Sequence, residues 1–131
     1  HGDWRECFAW RAALNYTDAA FANGPLSRLR PAQYPDWSAS AGLEWRVTDA
    51  NSISAALIYE STRFEDDLNT RTLDAALTID LRAEQELARG VSLYAALDNA
   101  LDSEIETAET ADGIESFGPP RVLRVGLVLR R

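Results

Sequence analysis

The densest run of side chains able to do chemistry is Glu65-Asp66-Asp67, with Asn69 two residues on. Carboxylate and amide oxygens are hard donors of the kind that hold calcium or magnesium. The run lacks the EF-hand spacing and its closing glutamate, so a solvated loop is the simpler reading. Paired carboxylates can also cleave a glycosidic bond, but only when two are held at a set separation, and nothing in this sequence sets one. A second group of charges falls in the middle of alternating stretches: Arg11, Glu44, Arg46, Asp74, Asp80, Arg82 and Arg124. A third group is Asp98, Asn99 and Asp102, whose side chains suit turns because they bond to nearby backbone. Capping a strand and starting a loop is the expected role there.

Other chemistries lack parts. The only histidine is His1, at a terminus, so a Ser-His-Asp or Cys-His constellation has no base. Cys7 is the only cysteine, which excludes an intrachain disulfide and leaves no second thiol for zinc. No enzymatic activity and no cofactor are expected. Lys plus Arg number 13 against 21 Asp plus Glu, a net charge of −8. That balance argues against binding a phosphate backbone or an anionic membrane surface. No apolar run reaches the ~18 residues of a membrane helix, and no signal peptide is visible at the start.

The elements that carry these residues are strands. From Phe8 to Thr17 apolar residues occupy every second position, and a strand turns successive side chains to opposite faces. The pattern recurs over Trp37 to Val47, Ser52 to Glu60, Leu73 to Ala83, Val91 to Leu101 and Arg121 to Arg131. Segments of about 9–11 residues suit a tilted strand crossing a bilayer. Leu73 to Gly90 also fits a helix, through its leucines spaced by four and Gly90 as a cap. Agreement with the neighbouring segments favours a strand.

Connections alternate in length. Asp18 to Asp36, Ser61 to Thr72 and Asp102 to Pro120 are long; Thr48 to Asn51 and Glu84 to Gly90 are short. Long outer loops and short periplasmic turns are the sidedness of an outer-membrane barrel, which would put both ends of the chain on the periplasmic side. A soluble ligand-binding barrel or sandwich would point the apolar face inward instead. Mid-strand charges on the polar face, and Tyr16, Trp37, Trp45 and Tyr59 near strand ends, favour an apolar face turned to lipid. The expected fold is all-β: an antiparallel meander of about six long strands from a transmembrane β-barrel. Six strands are too few to close one, since bacterial barrels have at least eight, so the barrel is incomplete.

Four stretches stand out: Trp37-Ser38-Ala39-Ser40-Ala41-Gly42-Leu43-Glu44-Trp45, Arg63-Phe64-Glu65-Asp66-Asp67-Leu68-Asn69-Thr70, Leu97-Asp98-Asn99-Ala100-Leu101-Asp102, and Gly118-Pro119-Pro120-Arg121-Val122-Leu123-Arg124-Val125-Gly126-Leu127. In this order and spacing they resemble the last third of TonB-dependent outer-membrane receptors. The resemblance runs from about Trp10 onward. It departs at the end, Leu129-Arg130-Arg131, where the family usually has an aromatic residue. It implies that residues 1–131 are the C-terminal strands of a plugged barrel of about 22 strands. It further implies a Gram-negative outer-membrane location and active uptake of a scarce solute such as a ferric siderophore. The implied partners are the rest of the barrel and plug, outer-membrane lipid, and the TonB complex acting through a segment (the TonB box) at the family's N-terminus. Arg11, Glu44, Arg46, Asp80, Arg82 and Arg124 would then face the lumen; cross-strand pairing of Arg11, Arg46, Arg82 and Arg124 with Glu44, Asp74 and Asp80 is the simpler reading of these charges and a path for an anionic chelate the alternative, and Glu65, Asp66, Asp67 and Asn69 would lie in an outer loop.

Overall fold

The computed structural model describes residues 7–130; His1 and Arg131, on which two of the expectations above fall, lie outside the described residues. Among the described residues ten strands occur in chain order. Six are long: β1 (Phe8–Tyr16), β2 (Trp37–Thr48), β3 (Asn51–Glu60), β6 (Ala76–Ala88), β7 (Val91–Asp98) and β10 (Val122–Leu129). They form one sheet in the order β1-β2-β3-β6-β7-β10, and every neighbouring pair is antiparallel. The remaining four make two small ribbons within the long connections, β4 (Arg63–Phe64) with β5 (Thr72–Leu73) and β8 (Glu106–Glu109) with β9 (Glu115–Phe117). The sheet is open, because β1 and β10 each pair on one side only.

Register follows from the alternation. Phe8 faces Trp45, Trp10 faces Leu43, Leu14 faces Ala39 and Tyr16 faces Trp37, so the apolar sets of β1 and β2 fall on one side. The same side continues through Trp45–Ile53, Ile53–Ala83, Ala83–Ala95 and Ala95–Val125. A slip of one residue would turn every one of these side chains over, which is why the pattern specifies the pairing. The turn after β6 is Arg89–Gly90, with Gly90 at φ +77°. A Cβ there would also sit 2.3 Å from the Arg130 carbonyl oxygen, so glycine serves both the turn and the close pass of the chain beyond β10.

Three expectations need correction. The segment from Leu73 onward is strand, not helix, but it is broken: Leu73 belongs to the β4–β5 ribbon and β6 starts at Ala76. At the break the Asp74 N–H donates to the Glu106 carboxylate at 2.7 Å instead of a ladder partner. Second, β6 runs on to Ala88, through most of the segment expected to be a turn, because Glu84 pairs with Ser52 on one side and Tyr94 on the other. Pairing on both edges outweighs the helix preference of Glu84–Ala88. Third, β7 ends at Asp98 rather than Leu101, where Asn99 takes a left-handed φ of +48°.

Exposure is inverted relative to a water-soluble sheet. Trp10 is 73% exposed and Leu129 77%, and Leu14, Leu123, Val125 and Leu127 resemble them. The most enclosed residues sit elsewhere. Ser92 and Ala96 are buried on the polar face, and Leu73, Arg63, Ala76 and Asn99 are buried among or beside the long connections.

Candidate functional site

The polar face is concave and holds a trough of about 510 Å³. Arg11 of β1, Glu44 of β2, Asp80 and Arg82 of β6, and Arg124 of β10 all line it, together with Asp98. Arg46 lies further toward the short turns, in a second depression shared with Arg82, Glu84 and Arg130. The alternation thus gathers five of the six lumen-facing candidates on one wall and sets Arg46 beside them.

Their charge pairing differs from expectation. Arg124 pairs with Asp98 at 2.7 Å, and Glu84 receives both Arg82 at 3.2 Å and Arg130 at 2.8 Å. Among the described residues, Glu44, Asp74 and Asp80 form no ion pair with Arg11, Arg46, Arg82 or Arg124. Asp80 instead accepts the Asn99 N–H at 2.9 Å, and Asp74 lies in the break before β6. Glu84 was hidden because its segment reads locally as a turn; continuing the alternation two residues past Arg82 finds it.

Large side chains lie flat against this wall where the neighbouring strand offers no Cβ. Tyr94 covers Gly126, so a Cβ at position 126 would come within 2.8 Å of its ring. Arg11 likewise covers Gly42. The Arg82 guanidinium stacks 4.1 Å from the Tyr94 ring centroid, a cation–π contact that holds both down.

The Glu65–Asn69 run serves neighbouring backbone. Asp66 accepts from the Thr70 N–H at 2.9 Å, the Arg71 N–H at 2.8 Å and the Thr70 hydroxyl at 2.7 Å. Desolvation pushes its carboxyl up, but the Arg71 and Thr70 hydrogen bonds and the Arg71 charge outweigh this, so it titrates below the ordinary carboxylate value. Asn69 clasps the Arg30 backbone, accepting its N–H and donating to its carbonyl, both at 2.8 Å. Asp67 accepts from the Ala32 N–H at 2.8 Å, and Glu65 accepts from the Gln33 amide. Glu65, Asp67 and Asn69 therefore tie the second long connection to the first, while Asp66 braces the second one internally. Among the described residues no three acidic, histidine or cysteine side chains gather as a metal site.

The third connection is tied in by two arginines. Arg63, 8% exposed, donates to the Gln33 amide oxygen at 3.1 Å and the Glu106 carbonyl at 3.0 Å. Its Nη1 lies 3.3 Å from the Glu60 carboxylate but out of hydrogen-bond alignment. Arg71 reaches the Glu109 carbonyl at 3.1 Å. At the end of β7, Asn99 bonds Ser103 in both directions, and the Asp102 carboxylate accepts from the Arg121 N–H at 3.0 Å. The Asp98–Asp102 stretch is thus a strand end and loop start, as its residue types indicate.

No family model and no curated protein sequence matches the chain. Solved structures do match in fold. The siderophore receptor PiuA from Acinetobacter baumannii superimposes with a TM-score of 0.78 at 17% identity, over 94% of this chain and 20% of that one. BauA, the ferric preacinetobactin receptor of the same organism, gives 0.76 at 17%, over 92% and 19%. The ferric citrate transporter FecA in its unliganded form gives 0.78 at 14%, over 92% and 21%. The chain spans about a fifth of the length of these proteins, and its fold is that of a six-stranded stretch of a receptor β-barrel.

Proposed function

We propose that residues 1–131 form the C-terminal strands of a TonB-dependent receptor barrel in a Gram-negative outer membrane, part of a machine that imports a scarce solute such as a ferric siderophore. One observation carries the reading: an open six-stranded sheet that exposes large apolar side chains on one face and gathers its charged residues around a trough on the other. Trp37 and Trp45 lie eight residues apart on that apolar face, about 26 Å along the strand at ~3.3 Å per residue. A tilt of ~40° shortens this to about 20 Å across the membrane, close to the ~25 Å band of barrels with aromatic girdles. Tyr16 packs against Trp37 at one rim, with ring centroids 4.7 Å apart, and Phe8 faces Trp45 at the other.

In lipid the unpaired edges of β1 and β10 have no water to satisfy them, so further strands of the same barrel would continue the sheet. Arg11, Glu44, Arg46, Asp80, Arg82 and Arg124 then belong to the lumen wall, where they border the solute path and the plug. The connections holding Glu65, Asp66, Asp67 and Asn69 form the outer rim. Coupling to the TonB complex would run through the family's N-terminal segment.

Fractionation of cells expressing the full-length protein tests the reading. The protein should be recovered in the outer membrane, migrate differently on gels before and after heating, and support uptake of an iron chelate under iron limitation. A water-soluble, cooperatively folding monomer with the same sheet would refute it and leave a soluble ligand-binding barrel or sandwich.

A further inference from the structure

On the apolar face two register partners interrupt the pattern, Asn51 of β3 and Gln85 of β6. They stand at one end of a dip of about 430 Å³ whose outward-facing residues are Val47, Ile53, Ala83, Leu93, Ala95 and Val125. The dip arises because Ala83 and Ala95, which face each other across β6 and β7, present only methyl groups between the larger Ile53, Leu93 and Val125. It runs from Val47 of β2 across β3, β6 and β7 to Val125 of β10.

Hydrocarbon next to protein gains no hydrophobic free energy over hydrocarbon next to lipid, so contact there is selected by close packing and polar matching. A groove floored by small residues lets a chain approach closely. Each amide has a donor committed nearby: Asn51 Nδ2 to the Thr48 hydroxyl at 2.9 Å, and Gln85 Nε2 to the Glu86 carbonyl at 2.8 Å. An amide NH₂ has two donors, which leaves one on each side chain without a partner among the described residues. An unpaired donor at a hydrocarbon boundary is costly. The ester and phosphate oxygens of a glycerophospholipid are acceptors without donors, and they occur at the end of an acyl chain.

We propose that this dip seats one acyl chain of a glycerophospholipid, with Asn51 and Gln85 donating to its ester or phosphate oxygens. The proposal rests on the reading of this face as lipid-facing. It makes the seat a feature of the leaflet at the short-turn rim, on the opposite side of the wall from the polar trough.

The test uses the full-length protein, purified in detergent, exchanged free of native lipid, and titrated with palmitoyl-oleoyl phosphatidylethanolamine under native mass spectrometry. Wild type should take up one tightly held lipid. Ala83→Trp, which fills the dip, should weaken that first binding about tenfold, and Ala95→Leu should act in the same direction. The double variant Asn51→Leu/Gln85→Leu keeps the dip but loses the donors, and should weaken it about fivefold. Equal binding by wild type and the filled variants overturns the proposal. So does displacement of the phospholipid by lipopolysaccharide, or a doubled mass in wild type that Ala83→Trp abolishes, since a second copy of the chain would then be the occupant. A protein that stays in buffer and enters neither micelles nor vesicles instead refutes the membrane reading beneath it.

Discussion

Replacing Asn99 should unfasten the third long connection from the sheet. Asn99 is 4% exposed. Its Oδ1 accepts the Ser103 N–H at 3.0 Å, and its Nδ2 donates to the Ser103 carbonyl at 2.9 Å and the Pro119 carbonyl at 3.3 Å. It also holds a φ of +48° that asparagine tolerates better than alanine. Asn99→Ala removes three side-chain hydrogen bonds at about 1 kcal/mol each and adds about 1 kcal/mol of left-handed strain. The total is about 4 kcal/mol, of the order of losing a large core side chain. Asn99→Gly loses the same bonds without the strain, about 3 kcal/mol. Guanidinium unfolding of the full-length protein in micelles, followed by tryptophan fluorescence, gives the free energies. Hydrogen exchange at the Ser103 amide reports the local opening. If Asn99→Ala lies within about 0.5 kcal/mol of wild type, or Asn99→Gly is the less stable of the two, the reasoning fails.

Three further outcomes follow from the same geometry. Asp66 titrates below the ordinary aspartate value of 3.8, so its contribution is present above that value and lost as pH falls through the lower folded one; exchange at the Thr70 and Arg71 amides should rise on acidification below about pH 4, and Asp66→Asn should remove that dependence. Arg63→Lys keeps the charge but cannot fork to Gln33 and Glu106 together; unfolding should show a loss of about 3 kcal/mol, with faster exchange at residues 30–33 and 106–109. Gly126→Ala drives a methyl into Tyr94 and should cost about 1–3 kcal/mol, whereas in a Tyr94→Ala background the same change should cost nothing, measured as a double-mutant cycle.

The six long strands were legible because their alternation is local and their apolar sets share one face in every pair. Where the pattern misleads, the cause is distant in sequence. Leu73 continues the period of β6 and reads as lipid-facing, yet it is 1% exposed among the connections. Glu106, 32 residues away, takes the Asp74 N–H and breaks the strand there. Glu84 to Ala88 favours a helix by composition, and only pairing to β3 and β7 makes it a strand. The candidate site divides in the same way. Alternation alone placed Arg11, Glu44, Asp80, Arg82 and Arg124 on one wall. Their actual partners, Glu84, Asp98 and Tyr94, depend on register and on the glycines opposite. The Glu65–Asn69 run read in sequence as a solvated loop, and its hold on Arg30 and Ala32 was not visible there because those contacts span 35 residues or more.

The central claim concerns which face of the sheet meets lipid, and β3 tests it best because both its edges are paired. Single cysteines at Ile53, Ser54, Ala55, Ala56, Leu57 and Ile58, in a Cys7→Ser background of the full-length protein in phospholipid vesicles, can each carry a spin label. Accessibility to oxygen, which concentrates in lipid, should peak at 53, 55 and 57. Accessibility to a water-soluble nickel chelate at those positions should be low, and the labels at 54, 56 and 58 should show no lipid contact. The reverse phase, or uniform accessibility to the nickel chelate along all six positions, would contradict the account.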